Sequence, residues 1–275
     1  MGEGALRVEL DGALAVVTVD HPPKQLVDGA VIGGLFEVLP VLESGDVGAA
    51  VFRSADPDLF LMHGDVELLV GTGGPAEPPT EPNVAAAALE RLRRVPAVTI
   101  GLIDGAARGG GCEVLSALDI RIGTPRTVIG QPEVPMGILP GAGGTVRWPR
   151  LVGRSRAIEL LTTGRDVGAD EALALGWLDH LVPAAELEDR GMALARRIAA
   201  MPRGSVAAVK RVVDASLDGP IDEALLQESA ALAQLMAAGT HHEPMRRFLA
   251  AGGQTREAEL ARMHELLDAM LDPDA

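Results

Sequence analysis

The stretch DGAARGGGCE, residues Asp104–Glu113, follows an apolar segment and precedes another. Pro96–Ile103 before it has the pattern of a buried strand, and Val114–Leu118 after it continues as a helix. Three consecutive glycines cost conformational entropy, so they indicate a backbone that turns sharply or closely approaches another group. A helix N-terminus offers unpaired N–H groups that suit a developing oxyanion. The same glycines also fit a tight turn without a ligand.

A second polar segment, Gln131–Glu133, precedes a glycine-rich stretch at Gly141–Thr145. These glycines lack the spacing of a dinucleotide-binding turn, and no Gly-Lys-Ser/Thr follows them as in a P-loop. The sequence has no Gly-x-Ser-x-Gly elbow, which argues against a serine hydrolase. A glutamate such as Glu133 is most often a solvated loop acid, so its combination with the first stretch is what makes it a candidate catalytic group.

Strand and helix patterns alternate up to about residue 183, which predicts an α/β core. Leu14–Val19 and Val47–Phe52 are predicted strands, Val31–Leu42 is a helix capped by Asp28, and Val84–Arg94 is an amphipathic helix. From Leu187 onward the pattern is helical, so we expect a core over residues 1–200 and a helical oligomerisation segment over 201–275. The helices predicted near the C-terminus are Leu187–Met201, Ser205–Ser216, Ile221–Ala238 and Thr255–Leu271.

The composition excludes several classes of protein. Hydrophobic residues make up 47% and charged residues 23%, a balance typical of globular proteins. The net charge of −15 disfavours nucleic acid as a partner, and no apolar window is long enough to cross a membrane. Cys112 is the only cysteine, so no intrachain disulfide can form. With no signal-peptide pattern at the N-terminus, the expected location is the cytoplasm.

Several motifs in this order resemble the enoyl-CoA hydratase/isomerase, or crotonase, family over about residues 8–250. The resemblance implies a crotonase-type ββα spiral core with a C-terminal helical segment. It also implies an acyl-CoA substrate, with coenzyme A as part of that substrate and no separate cofactor or metal, and a homotrimer or homohexamer. The motifs are Phe60-x4-Asp65, Gly109–Glu113, Gln131–Glu133, Pro140–Thr145, Pro149–Gly153, Leu161–Arg165 and Ala172–Pro183.

The resemblance also implies roles by position. Gly110 and Met62 would donate backbone N–H groups to the thioester oxygen, and Glu113 and Glu133 match the two carboxylates of the family's hydratases. One carboxylate would deprotonate a water, and the other would handle the proton at the α-carbon. The residues implied to contact substrate or coenzyme A are Lys24, His63, Asp65, Gly109 and Gly141.

The sequence departs from the family at the first oxyanion turn, where Met62-His63 replaces the usual Ala-Gly. The His63 ring either points away into solvent or adds a polar contact to the site. His241-His242 lacks metal-ligand spacing and is interpreted as a loop pair. Two carboxylates favour a hydratase, which adds water to a 2-enoyl-CoA. The alternatives are an isomerase or other thioester-enolate enzyme, and a non-catalytic acyl-CoA-binding member.

Overall fold

Two β-sheets form the frame of the N-terminal part of the chain. A computed structural model describes residues 4–73, 77–268 and 270–271. The strands within these residues are β1 Leu6–Asp11, β2 Leu14–Val19, β3 Ala49–Ser54, β4 Leu59–Leu61, β5 Val98–Ile103, β6 Ala106–Arg108, β7 Ile120–Gly123, β8 Val128–Gly130, β9 Val167–Gly168 and β10 His180–Leu181.

The larger sheet has the strand order β1-β2-β3-β5-β7-β10, and the smaller one has the order β4-β6-β8-β9. In the larger sheet β1 and β2 are antiparallel and the other pairs are parallel, with Val16 opposite Val51 and Phe52 opposite Gly101. In the smaller sheet β4, β6 and β8 are parallel, so their carboxyl ends lie at the same edge.

The helices alternate with the strands in the N-terminal part of the chain, and the described residues from Leu187 onward form helices and their connections. Two 3-10 helices, Val134–Met136 and Ala184–Glu186, lie between the α-helices. The α-helices of the described residues are α1 Gly29–Glu43, α2 Val66–Val70, α3 Val84–Arg94, α4 Gly110–Ser116, α5 Gly144–Val152, α6 Arg154–Thr163, α7 Ala169–Ala174, α8 Leu187–Ala199, α9 Arg203–Asp218, α10 Ile221–Ala238, α11 His242–Ala250, α12 Arg256–Ala261 and α13 Met263–Asp268.

Aliphatic side chains form most of the core because the chain has few aromatic residues. Leu35 and Leu39 of α1 are buried in one cluster with Leu89 of α3 and Phe52 of β3. Trp148 and Trp177 are fully buried, and their ring centroids lie 5.9 Å apart in a tilted arrangement. The α/β core expected from the sequence is therefore confirmed.

The chain divides into two compact units, one ending at Arg196 and the other beginning at Arg197. The second unit consists of helices, as predicted, but two details differ from the sequence interpretation. His242 begins α11, whereas His241 lies in the turn before it as the N-cap residue, so only His242 departs from the loop interpretation. The predicted helix Thr255–Leu271 is interrupted at Arg262, where the backbone leaves helical geometry at φ −130°; Ala269 of that prediction lies outside the described residues.

Most element positions agree with the sequence predictions, since β2, α3 and α10 have the predicted bounds. The sequence did not reveal β1, which pairs with β2 across the Asp11–Leu14 turn.

No helix in residues 4–73, 77–268 and 270–271 is long and apolar enough to cross a membrane.

Asp28 determines where α1 begins. Its carboxylate accepts hydrogen bonds from Ala30 N–H at 2.9 Å and Val31 N–H at 3.2 Å, and its second oxygen lies 2.8 Å from His21 Nε2. These bonds satisfy N–H groups that the helix itself leaves unpaired.

We predict that Asp28→Ala lowers the free energy of unfolding by about 1 kcal/mol, because the cap is lost. Asp28→Asn keeps a capping oxygen and removes only the charge facing His21, so it should retain most of the stability. Urea unfolding of the three proteins measures the difference. An equal loss in both variants would show that the His21 pair, rather than the cap, carries the effect.

Candidate active site

Three chain segments meet at the carboxyl edge of the smaller sheet, where β4, β6 and β8 end. A Cβ placed on Gly109, which follows β6, would lie 2.6 Å from Glu133 Oε1 and 2.7 Å from His63 Cβ. His63 follows β4 and Glu133 follows β8, so Gly109 lies between them. Ligand sites of parallel sheets commonly form at this edge.

Gly111 allows the turn after β6 to lie directly against the turn after β4. Its N–H donates to Met62 O at 2.9 Å, and a Cβ at this position would lie 1.9 Å from Leu61 O. Any larger residue would therefore displace the backbone. This contact explains part of the Gly109–Gly111 sequence in physical terms.

The backbone donors at this edge differ from the sequence expectation at one position. Met62 N–H donates to Gln25 O at 2.7 Å, so it is not free to bind a substrate, and the prediction of Met62 as a donor is wrong for this arrangement. Gly64 lies two residues after Met62 in the same turn, and its N–H group has no acceptor among the described residues. Gly110 N–H, at the first position of α4, likewise has no acceptor in that part of the chain.

Glu113 lies in the first turn of α4 and is buried. Its Oε1 accepts hydrogen bonds from Ala142 N–H at 2.7 Å and Gly144 N–H at 2.8 Å. Burial raises the pKa of Glu113, while the two N–H groups and the nearby Arg147 charge act in the opposite direction. The glycine-rich stretch before α5 is thus a binding turn for this carboxylate.

Glu133 is also buried, just before the 3-10 helix Val134–Met136. Burial raises its pKa to about 7, and the negative charge of Glu113 adds to the rise. The Gln131 amide, turned with its nitrogen toward this carboxyl group, donates to Oε2 at 3.0 Å and to Oε1 at 3.2 Å. The two glutamates therefore have different surroundings: backbone N–H groups hold the first, and the second, with a pKa of about 7, is protonated in part of the molecules at neutral pH.

A cavity of about 430 Å³ lies beside the turn after β4. Lys24, Met62, His63 and Asp65 are among its lining residues, so the structure brings together several residues that the sequence suggested for substrate binding. His63 Nδ1 lies 2.9 Å from Gly64 O, which ties the ring to its own turn. The Asp65 carboxylate caps α2 by accepting from Glu67 N–H at 2.9 Å.

Gly141 lies apart from that cavity lining. Its carbonyl accepts a hydrogen bond from Asn83 Nδ2 at 2.8 Å, and it opens the turn that binds Glu113. Sequence reasoning assigned no role to Gly64, Asn83 or Arg147. Gly64 has no side chain that could indicate a function in the sequence. The roles of Asn83 and Arg147 depend on contacts between segments that are distant in the sequence.

Comparison with known proteins agrees with this geometry. The model of the enoyl-CoA hydratase/isomerase family matches residues 9–254, and the chain belongs to this family. A Streptomyces avermitilis protein provisionally described as an enoyl-CoA hydratase is 32% identical, with 98% of this chain and 99% of that chain covered and a TM-score of 0.70.

Two further solved structures are similar. Pseudomonas aeruginosa DspI is 27% identical over 90% of this chain and 94% of its own, with a TM-score of 0.82. The enoyl-CoA hydratase of Geobacillus kaustophilus is 25% identical over 91% of this chain and 96% of its own, with a TM-score of 0.84. These similarities confirm the crotonase-type fold and an enzyme of the crotonase class.

We predict that the Glu133 carboxyl group titrates with a midpoint near pH 7, because burial and Glu113 disfavour its charged form. In a protein labelled with ¹³C at the glutamate carboxyl groups, one signal should titrate there and disappear in Glu133→Gln. A Glu133 midpoint near the ordinary 4.5 would contradict the assignment.

Proposed function

We propose that this protein adds water to the conjugated double bond of a 2-enoyl-CoA thioester. The observation that carries the proposal is the pair of buried carboxyl groups, Glu113 and Glu133, together with the Gly64 and Gly110 N–H groups, which have no acceptor within the described part of the chain. Family members that move a double bond often need only the carboxylate at the Glu133 position. The presence of both, each with its own environment, favours hydration.

Gly64 and Gly110 are the proposed donors to the thioester oxygen. Addition of water moves electrons from the double bond to this oxygen, so negative charge develops there in the transition state. Prearranged N–H groups stabilise such charge, and one donor is typically worth about 3–4 kcal/mol. The bond from Met62 N–H to Gln25 O supports Gly64 over Met62.

The two glutamates are proposed to act as base and acid. Glu113, whose anion is favoured by Ala142 N–H and Gly144 N–H, takes a proton from water as the water oxygen bonds to the β-carbon. Glu133, in the protonated form that a pKa of about 7 keeps available at neutral pH, gives a proton to the α-carbon as the enolate returns to a thioester. Proton exchange with solvent then restores both groups. Pairs of carboxyl groups with separated pKa values commonly divide the acid and base roles in this way.

The coenzyme A part of the substrate is proposed to pass the cavity beside the turn after β4. Lys24 is exposed at this cavity and supplies a positive charge for a phosphate group. His63 borders the cavity close to Gly109, so it is placed to contact the substrate near the thioester. Gly109 itself is proposed to allow close approach, since it has no side chain between His63 and Glu133.

Self-association and a cytoplasmic location remain part of the proposal. The exposed fractions of Val209, Val213 and Leu217, spaced four residues apart on α9, are 64%, 53% and 64%. An apolar stripe of this kind supports a subunit interface in a trimer or hexamer. The single cysteine, Cys112, is buried as a free thiol, which supports a reducing compartment.

We predict that the purified protein converts crotonyl-CoA to 3-hydroxybutyryl-CoA, with loss of the absorbance of the conjugated thioester. Glu113→Gln and Glu133→Gln should each lower kcat by about 10²- to 10⁴-fold, because each removes a proton-transferring group. Glu37→Gln, at an exposed position on α1, is the matched control and should retain full activity.

Product analysis separates the alternatives. Conversion of a 3-enoyl-CoA without hydration of crotonyl-CoA would replace the hydratase proposal by an isomerase. Binding of acyl-CoA without turnover over a panel of chain lengths would favour the non-catalytic member of the family.

A further inference from the structure

Helix α3 is linked to the turn that binds Glu113 in two ways: directly by its N-cap residue, and indirectly through Arg147 of α5. The turn, Gly141–Gly144, supplies both N–H groups that reach Glu113 Oε1. The carbonyl groups of Gly141 and Ala142 in this turn accept hydrogen bonds from Asn83 and Arg147. Asn83 is the N-cap residue of α3, and Arg147 is bonded to α3 through Glu90. The position of the turn therefore depends on more than the chain between β8 and α5.

The first contact comes from Asn83, the N-cap residue of α3 and the only asparagine of the chain. Its Oδ1 accepts from Ala86 N–H at 2.9 Å, and its Nδ2 donates to Gly141 O at 2.8 Å. The two bonds have opposite polarity, so together they fix the orientation of the amide. One exposed side chain thus starts the helix and holds the carbonyl of the turn.

The second contact runs through Arg147 and Glu90. Arg147 Nη1 donates to Ala142 O at 3.0 Å, and Nη2 donates to Glu90 Oε2 on α3 at 3.1 Å. The guanidinium lies directly beside Gly143, where a Cβ would be 1.9 Å from Nη1. Arg147 is buried, and a planar fork of donors can make both bonds at once.

We infer that Asn83 and the Arg147–Glu90 pair are positioning residues, which hold the Gly141–Gly144 turn so that Ala142 N–H and Gly144 N–H remain aimed at the Glu113 carboxylate. This inference rests on the proposed function, in which Glu113 is the base. It assigns to α3 a role in the protonation of a residue that α3 does not touch.

The sign of the effect follows from the bonds. The N–H groups favour the charged form of Glu113, so a displaced turn raises its pKa. The charged or titratable groups that face Glu113 are Arg147 of α5, Glu133 after β8 and Cys112 on its own helix. A test must therefore leave these charges unchanged while it alters the turn.

Two substitutions meet this condition. Asn83→Ser keeps a capping oxygen, but the shorter side chain does not reach Gly141 O. Arg147→Lys keeps the positive charge, but an ammonium group cannot replace the planar guanidinium that bonds Ala142 O and Glu90 at once. Each should move the acidic limb of the kcat–pH profile, and the Glu113 titration seen by carboxyl ¹³C NMR, up by about one pH unit, a tenfold change in protonation. We expect kcat to fall about tenfold at pH values below the acidic limb of the wild-type profile, less than the roughly 100-fold cost of a 1 Å misplacement. On the plateau above the limb, kcat and KM should change little.

Arg150→Lys is the matched control, since Arg150 lies exposed on the same helix and bonds only Val146 O, at 2.7 Å, among the bonds of the described residues. Its pH profile should equal that of the wild type. Asparagine-selective ¹⁵N labelling gives a single side-chain signal, because Asn83 is the only asparagine. Slow hydrogen exchange of that amide is expected, and the rapid exchange of a free exposed amide would overturn the Asn83 contact.

The outcomes separate the two proposals. A shifted Glu113 titration in a protein that hydrates no enoyl-CoA supports the positioning role and removes the proposed function. Hydration by the wild type with an unshifted Glu113 titration in both variants overturns the positioning role and leaves the proposed function in place.

Discussion

The close backbone contact between Gly111 and the Leu61–Met62 segment is the constraint on which the site depends. A side chain at Gly111 would lie within 1.9 Å of Leu61 O, so only glycine permits the turn after β6 to meet the turn after β4. That meeting places Gly110 N–H and Gly64 N–H at the same edge of the smaller sheet. The fold thus brings together two donors that are far apart in the sequence.

The carboxyl groups acquire different properties from the segments that surround them. Both are buried, and burial alone raises the pKa of each. Only Glu113 receives hydrogen bonds from a backbone turn, which favours its anion, whereas Glu133 faces the negative charge of Glu113. One acid and one base can therefore arise from two identical side chains.

The sequence predicted the α/β class and the family, because these depend on local periodicity and on ordered glycine motifs. The same motifs indicated the glutamate pair, whose catalytic role stays a prediction. It identified the wrong N–H donor on the first turn, since Met62 is engaged by Gln25 O across a long sequence separation. It also missed Asn83 and Arg147, whose partners are fixed by the packing of α3 against the turn before α5. The helix break at Arg262 was hidden because the apolar spacing continues through it.

The structure of the protein with a bound, unreactive acyl-CoA analogue tests the central claim most directly. The account predicts that Gly64 N and Gly110 N lie about 2.7–3.1 Å from the thioester oxygen, with Met62 N still bonded to Gln25 O. It also predicts that the two glutamate carboxyl groups face the α- and β-carbons. A thioester oxygen bound by Met62 N–H, or lying away from Gly110, would contradict the account.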